Sequence, residues 1–232
     1  MNFHDELERL GIFLDERKTK QFAIYYEKLI EVNRVMNLTA ITEKEEVYRK
    51  HFLDSLEIVR ALKNKGEYTL CDVGSGAGFP SVPLAIVQDN VKVTIIDALN
   101  KRISFLKDLI ETLELPNVNA IHARAEEYVK EKRESFDVVT ARAVARLNIL
   151  AELCLPLTKV GGLFLAMKGS SGQEEMHEAS KAIEQLGGKL VDMLCFTLPD
   201  EAEQRKIIII QKIKNTPSKY PRHFNKIKEQ PL

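Results

Sequence analysis

Residues 70 to 78 read Leu-Cys-Asp-Val-Gly-Ser-Gly-Ala-Gly, and the next apolar run, Val93-Thr-Ile-Ile-Asp97, ends on a carboxylate. A short hydrophobic run, a glycine-rich turn, a helix-compatible stretch and an acidic strand end make a strand–turn–helix–strand unit. Gly74, Gly76 and Gly78 stand as G-x-G-x-G, whereas the dinucleotide fingerprint is G-x-G-x-x-G. The dinucleotide turn sets backbone N–H groups and a helix N-terminus against a pyrophosphate. The tighter spacing suits a cofactor without phosphate, of which S-adenosyl-L-methionine is the obvious case. Bare backbone at Gly74 and Gly76 would take its amino acid arm and Asp97 its ribose hydroxyls. Asp72 adds a carboxylate for a cationic amino group. The bland reading of any glycine run is a plain turn, and the strand flanks and two carboxylates weigh against it.

The pattern on either side predicts the architecture. Phe22, Tyr25, Tyr26, Leu29, Ile30 and Met36 recur at helical spacing, and Thr42-Glu-Lys-Glu45 has capping-box spacing, so a helix is expected from there toward Leu62. From Tyr68 on, short apolar runs alternate with helical patterns. Strands are expected at 68–74, 92–97, 118–122, 136–141, 161–167, 190–198 and 206–213, with helices near 80–88, 101–114, 125–132, 147–157 and 173–186. Five strands each followed by a helix imply parallel pairing with right-handed crossovers. The last two have no helix between them and should pair antiparallel. The expectation is an α/β, Rossmann-like sheet of seven mostly parallel strands. Its parts are an N-terminal helical extension (1–65), the sheet domain (66–214) and a basic tail (215–232).

Composition excludes several classes. No apolar run approaches the ~18 residues of a membrane span, and the acidic start lacks a signal-peptide core. Cys71, Cys154 and Cys195 are odd in number and far apart, which fits neither a zinc site nor a disulfide framework. Buried free thiols in a reducing cytoplasm are the expectation, with no bound metal. A formal net charge of zero argues against bulk electrostatic coating of nucleic acid. Yet Arg205, Lys206, Lys212, Lys214, Lys219, Arg222, Lys226 and Lys228 face the single acid Glu229 after residue 204, interleaved with Tyr220, His223 and Phe224. That tail is either a solvated basic end or a clamp for phosphates and bases.

In open α/β sheets ligands bind beyond the carboxyl ends of the strands. Those positions hold Gly74, Gly76 and Phe79 after the first strand, Asp97 after the second, Ala125 and Glu126 after the third, and Arg142 after the fourth. Asp97 could instead be a helix cap, and Glu126 a first-turn acid favoured by the helix dipole. Arg142 either pairs with a pocket carboxylate or meets the substrate. His51, Asp54 and Ser55 look like a hydrolase set, but one helix gives them no nucleophile–base–orienter line. No Asp/Asn-Pro-Pro-aromatic stretch follows the fourth strand, and no cysteine is placed as a carbon-directed nucleophile. Methyl transfer would then go to an atom already nucleophilic, such as guanine N7, with no catalytic base. A nicotinamide-linked oxidoreductase and a non-catalytic cofactor- or RNA-binding protein are the alternatives. The glycine spacing disfavours the first.

Six stretches taken together carry a resemblance. They are Asn37-Leu-Thr-Ala-Ile41, His51-Phe-Leu-Asp-Ser-Leu56, Asp72-Val-Gly-Ser-Gly-Ala-Gly-Phe-Pro80, Arg124-Ala-Glu-Glu127, Arg142-Ala-Val-Ala145 and Tyr220-Pro-Arg222 with terminal Pro231-Leu232. Almost the whole chain resembles the RsmG family, formerly called glucose-inhibited division protein B, bacterial methyltransferases of 16S ribosomal RNA. The resemblance implies a cytoplasmic enzyme that uses S-adenosyl-L-methionine to methylate N7 of a guanine near the decoding site; a monomer that binds 16S ribosomal RNA or the small ribosomal subunit is the expected state. It carries cofactor contacts onto Gly74, Phe79, Ala125, Glu126 and Arg142. Gly76 and Asp97 come from the fold argument. Ser81 stands where the family has glycine, and Phe224, Asn225 and Glu229 depart from its tail pattern, which the resemblance otherwise assigns to RNA.

Overall fold

In the computed structural model, which describes residues 2–62, 66–142 and 145–232, the apolar runs become seven strands. They are β1 (Tyr68–Val73), β2 (Val91–Asp97), β3 (Val118–His122), β4 (Phe136–Arg142), β5 (Thr158–Lys168), β6 (Gly188–Thr197) and β7 (Gln204–Lys212). One sheet results, in the order β3-β2-β1-β4-β5-β7-β6. The first five strands pair in parallel. β7 runs antiparallel to both β5 and β6. The last two strands therefore pair as expected, but β7 is also inserted between β5 and the edge strand β6. Ile207, Ile208, Ile209 and Ile210 are all buried, which is why this strand shows no alternation.

The helices are α1 (Phe3–Arg9), α2 (Glu16–Met36), α3 (Lys44–Val47), α4 (Asp54–Leu56), α5 (Ser81–Val87), α6 (Asn100–Thr112), α7 (Ala125–Lys132), α8 (Leu147–Cys154), α9 (Gly172–Gln185) and α10 (Phe224–Glu229). They cover both sheet faces. Phe3, Leu7, Phe22, Tyr25 and Leu29 of the extension share one apolar core with α5, α6 and strand residues such as Ile95. The other face packs α7, α8 and α9 together with Tyr220 and Ile227 of the tail. The end of the expected extension, 63–65, and residues 143–144 of the Arg142–Ala145 stretch lie outside the described residues.

Three local expectations are corrected. The capping box at Thr42–Glu45 does not form: the helix begins one residue later, with Glu43 at its N-cap and no side-chain cap bond. The expected continuous helix to Leu62 changes pitch, with a π-helical segment at Tyr48–Leu53 between α3 and α4 and a 3-10 turn at Glu57–Ala61. Cys71 and Cys154 are buried, and burial pushes both thiols well above the usual range. Cys195 is exposed instead, because it lies on the edge strand β6, whose surface is largely uncovered. No helix among the described residues is long and apolar enough to cross a membrane.

Candidate functional site

The glycine turn leaves β1 through three left-handed residues, Gly74 (φ 74°), Gly76 (φ 63°) and Gly78 (φ 103°). The Gly74 N–H donates to the Ile96 carbonyl at 2.8 Å, which ties the turn to β2. A Cβ on Gly78 would stand 2.8 Å from both the Tyr25 hydroxyl and Val82 Cγ2, so this glycine permits close packing. A Cβ on Gly76 would meet nothing within 4 Å. That glycine faces open space. From outside the sheet, the Tyr25 hydroxyl donates to the Ala77 carbonyl at 2.6 Å, so α2 holds the turn in place.

Side chains alternate along β1, so Val73 lines the space above the turn and Asp72 lies behind it. The sequence reading of Asp72 as a carboxylate facing a ligand is thus corrected. Its Oδ2 accepts the Ser81 N–H at 3.3 Å at the start of α5, and Oδ1 is buried without a partner. Burial pushes the Asp72 carboxyl up to about 7, against the lowering effects of Ser81 and of the Arg142 charge.

Beyond the ends of β1 to β4 lies a cavity of about 510 Å³, whose wall includes Gly74, Gly76, Phe79, Asp97, Ala125, Glu126 and Arg142. Residues from four strand ends thus meet where the strand order reverses between β1 and β4, as open sheets favour. Asp97 Oδ1 accepts the Leu99 N–H at 2.8 Å, and Oδ2 faces Arg102 Nη1 at 3.3 Å. It is therefore not the cap of α6, whose N-cap is Leu99; it braces the loop before that helix and still lines the cavity. Ser75, unremarked in the sequence, also lines it with a buried hydroxyl that has no partner.

Phe79 forms a stacked wall. Tyr25 and His51 lie near-parallel to its ring at 5.4 and 4.6 Å between centroids, and the Arg142 guanidinium sits 4.8 Å from its centre. Arg142 donates from Nη1 to Asp54 Oδ2 at 2.8 Å, so it pairs with a carboxylate while lining the cavity. His51, set on the π-helical segment, is held below its ordinary range at about 3, by burial first and then by the Arg142 charge. It is a neutral imidazole, with Nε2 2.8 Å from the Thr39 hydroxyl. The loop at 37–41 is shaped by left-handed Asn37 and by Asn33, whose amide brackets Thr39 through two 2.9 Å bonds. Leu38 and Thr39 thereby reach the cavity rim, which no spacing in the sequence announces. The Ser55 hydroxyl is spent on the His51 carbonyl, and the hydrolase reading finds no geometry.

A second cavity of about 240 Å³ lies on the other side of His51 and Arg142, with Lys50, Asp54, Lys168, Arg205 and Lys206 in its wall. The basic C-terminal stretch is only partly free. Lys212 is buried on Glu134, and Arg222 grips the buried carboxylate of Glu152. Lys214, Lys219, Lys226 and Lys228 are exposed. Among the described residues, no cluster of three or more His, Cys, Asp or Glu could hold a metal ion.

Comparison with known proteins gives a consistent result. A family model described as rRNA small subunit methyltransferase G (GidB) matches residues 18–208. Proteins named ribosomal RNA small subunit methyltransferase G are similar over nearly their full length. That of Lactobacillus johnsonii is 50% identical over 99% of this chain and 98% of its own. That of Staphylococcus saprophyticus is 53% identical over 98% and 95%. Among solved structures, a precorrin-6y C5,15-methyltransferase of Geobacter metallireducens aligns with TM-score 0.54 and 15% identity over 74% of this chain and 90% of its own. TYW2 of M. jannaschii, solved in complex with AdoMet, aligns with TM-score 0.55 and 17% identity over 69% and 77%. At such identities these structures speak to the fold alone: the class I methyltransferase architecture.

Proposed function

The chain belongs to the rRNA small subunit methyltransferase G family, and on that premise we propose that it transfers a methyl group from S-adenosyl-L-methionine to N7 of a guanine in 16S ribosomal RNA near the decoding site. The observation that carries the reading is the single cavity joining an unobstructed glycine turn, the Asp97 carboxylate and the first turn of α7. These residues fit the cofactor. Gly76 leaves open room above the backbone, and the unpartnered Ser75 hydroxyl offers a hydrogen bond. The volume lies within the ordinary range of small-molecule sites. Gly74, Gly76 and Phe79 would hold the amino acid arm, Asp97 the ribose, and Ala125 with Glu126 the adenine. Bound there, the cofactor supplies a methyl group on a positively charged sulfur.

The protein's part is placement. A guanine N7 lone pair needs no deprotonation, so orientation against the methyl group supplies most of the catalysis. The neutral His51 and the Asp54-bound Arg142 form a wall between the two cavities. The smaller cavity, whose wall sets Lys206 beside the ion-paired Lys50, Arg142, Lys168 and Arg205, takes the acceptor nucleotide, and Arg142 orients it from between the two. Exposed Lys214, Lys219, Lys226 and Lys228 add phosphate contacts that position RNA without reading its sequence. The enzyme works in the cytoplasm as a monomer.

Undermethylated small-subunit RNA incubated with the protein and labelled S-adenosyl-L-methionine tests this. The product should be cleavable at one guanine after borohydride reduction and aniline treatment. Label found on an exocyclic amine, a carbon or a ribose oxygen overturns the N7 assignment, and no transfer at all leaves a non-catalytic binder.

A further inference from the structure

The tail contributes an aromatic ring to the larger cavity. Phe224, the first residue of α10, is half-buried in the wall beside Ala123, Arg124, Ala125 and Glu126. We propose that Phe224 is a cofactor-contacting residue that closes the adenine end of the site, which makes the C-terminal tail part of the binding pocket. The inference rests on the cofactor reading above. If the amino acid arm lies at the glycine turn and the ribose at Asp97, the base falls at Ala125 and Glu126, alongside this ring.

The segment that presents the ring is anchored on both sides. Three residues on, Ile227 is fully buried in the core with α8. Two residues before, Arg222 meets the wholly buried Glu152 through Nε at 2.8 Å, Nη2 at 2.6 Å and its backbone N–H at 2.8 Å. The Arg124 guanidinium lies over one face of the Phe224 ring, 5.9 Å from its centre, which leaves the opposite face for a base. An aromatic ring held this way is a stacking platform for a base, which has a π-face whatever its sequence context.

The chain contains no tryptophan, so Phe224→Trp installs a single tryptophan at this position, read apart from the six tyrosines by excitation at the red edge where tyrosine does not absorb. Its emission should change saturably with S-adenosyl-L-methionine and with adenosine, and not with methionine. By calorimetry, Phe224→Ala should weaken S-adenosyl-L-methionine binding by about tenfold, as the loss of one base–aromatic stack implies, while Phe224→Tyr binds within about twofold of the parent. A ring that merely packs the tail would lower the melting temperature of Phe224→Ala and leave affinity alone. Unaltered affinity in that variant, or tryptophan emission unmoved at saturating cofactor, overturns the inference. A parent protein that fails to bind S-adenosyl-L-methionine would instead remove the functional reading beneath it.

Discussion

Gly76 and Gly78 are two residues apart in one turn, yet alanine should harm them in different ways. Both have positive φ, and forcing an L-residue into that region costs about 1–2 kcal/mol. At Gly76 nothing else opposes the new methyl group, because no atom lies within 4 Å of it. In a chain of this length the fold should lose roughly 2–8 °C of melting temperature. On the proposed placement of the cofactor, however, the methyl group would stand in the cradle that the backbone offers it. S-adenosyl-L-methionine binding should weaken by at least about tenfold, or 1.4 kcal/mol. At Gly78 the methyl group meets Tyr25 Oη and Val82 Cγ2 at 2.8 Å and Leu106 Cδ2 at 3.1 Å. Overpacking adds about 1–3 kcal/mol, and the melting temperature should drop by roughly 4–20 °C. Scanning calorimetry without ligand and titration calorimetry with it separate the two effects. Gly76→Ala binding as tightly as the parent, or the two variants melting together, would refute this division of labour within the turn.

Asp97→Ala should weaken cofactor binding by about 1–3 kcal/mol, the cost of losing a buried acceptor, and titration calorimetry showing parental affinity would reduce Asp97 to a brace for the loop before α6. Asp72 gives a pH-dependent test. Its carboxyl is held at about 7 in the fold against an ordinary 3.8, so the folded state keeps a proton that the unfolded state releases, and the Asp72 contribution to stability declines as pH rises between those values. Asp72→Asn should therefore gain stability relative to the parent from pH 4 to 7 and hold that gain above pH 7; parallel denaturant midpoints for the two proteins across that range would show that the carboxyl is not perturbed.

The part of the site built from strand ends is legible in the sequence, because there local pattern dictates position. Apolar runs fix where β1 to β4 end, and the sheet carries Gly74, Asp97, Ala125 and Arg142 to one side whatever the loops do. Residues delivered by tertiary approach leave no such trace. Thr39 arrives through the Asn33 bracket, and Phe224 through a helix docked on α8. Asp72 shows a finer limit: its chemistry was readable, but alternation along β1 sends the carboxylate behind the turn rather than into the cavity. The order of the last strands was equally hidden, since pairing says that β6 and β7 are neighbours and not which of them touches β5.

That strand order bears on how the molecule is made. Chains emerge from the ribosome N-terminus first, and domains begin to fold as they appear. Strands β1 to β5 can assemble in the order of their synthesis, but β6 emerges before β7, the only strand among the described residues with which it pairs. Until β7 follows, the sheet ends at an open β5 edge and β6 is a second unpaired edge, each a template for pairing with another chain. β7 closes both at once, and the residues that carry Phe224 are made after it. If Phe224 contacts the cofactor as proposed, a nascent chain lacks part of its site until the residues after β7 have emerged, which places its vulnerable interval between the synthesis of β5 and that of the tail.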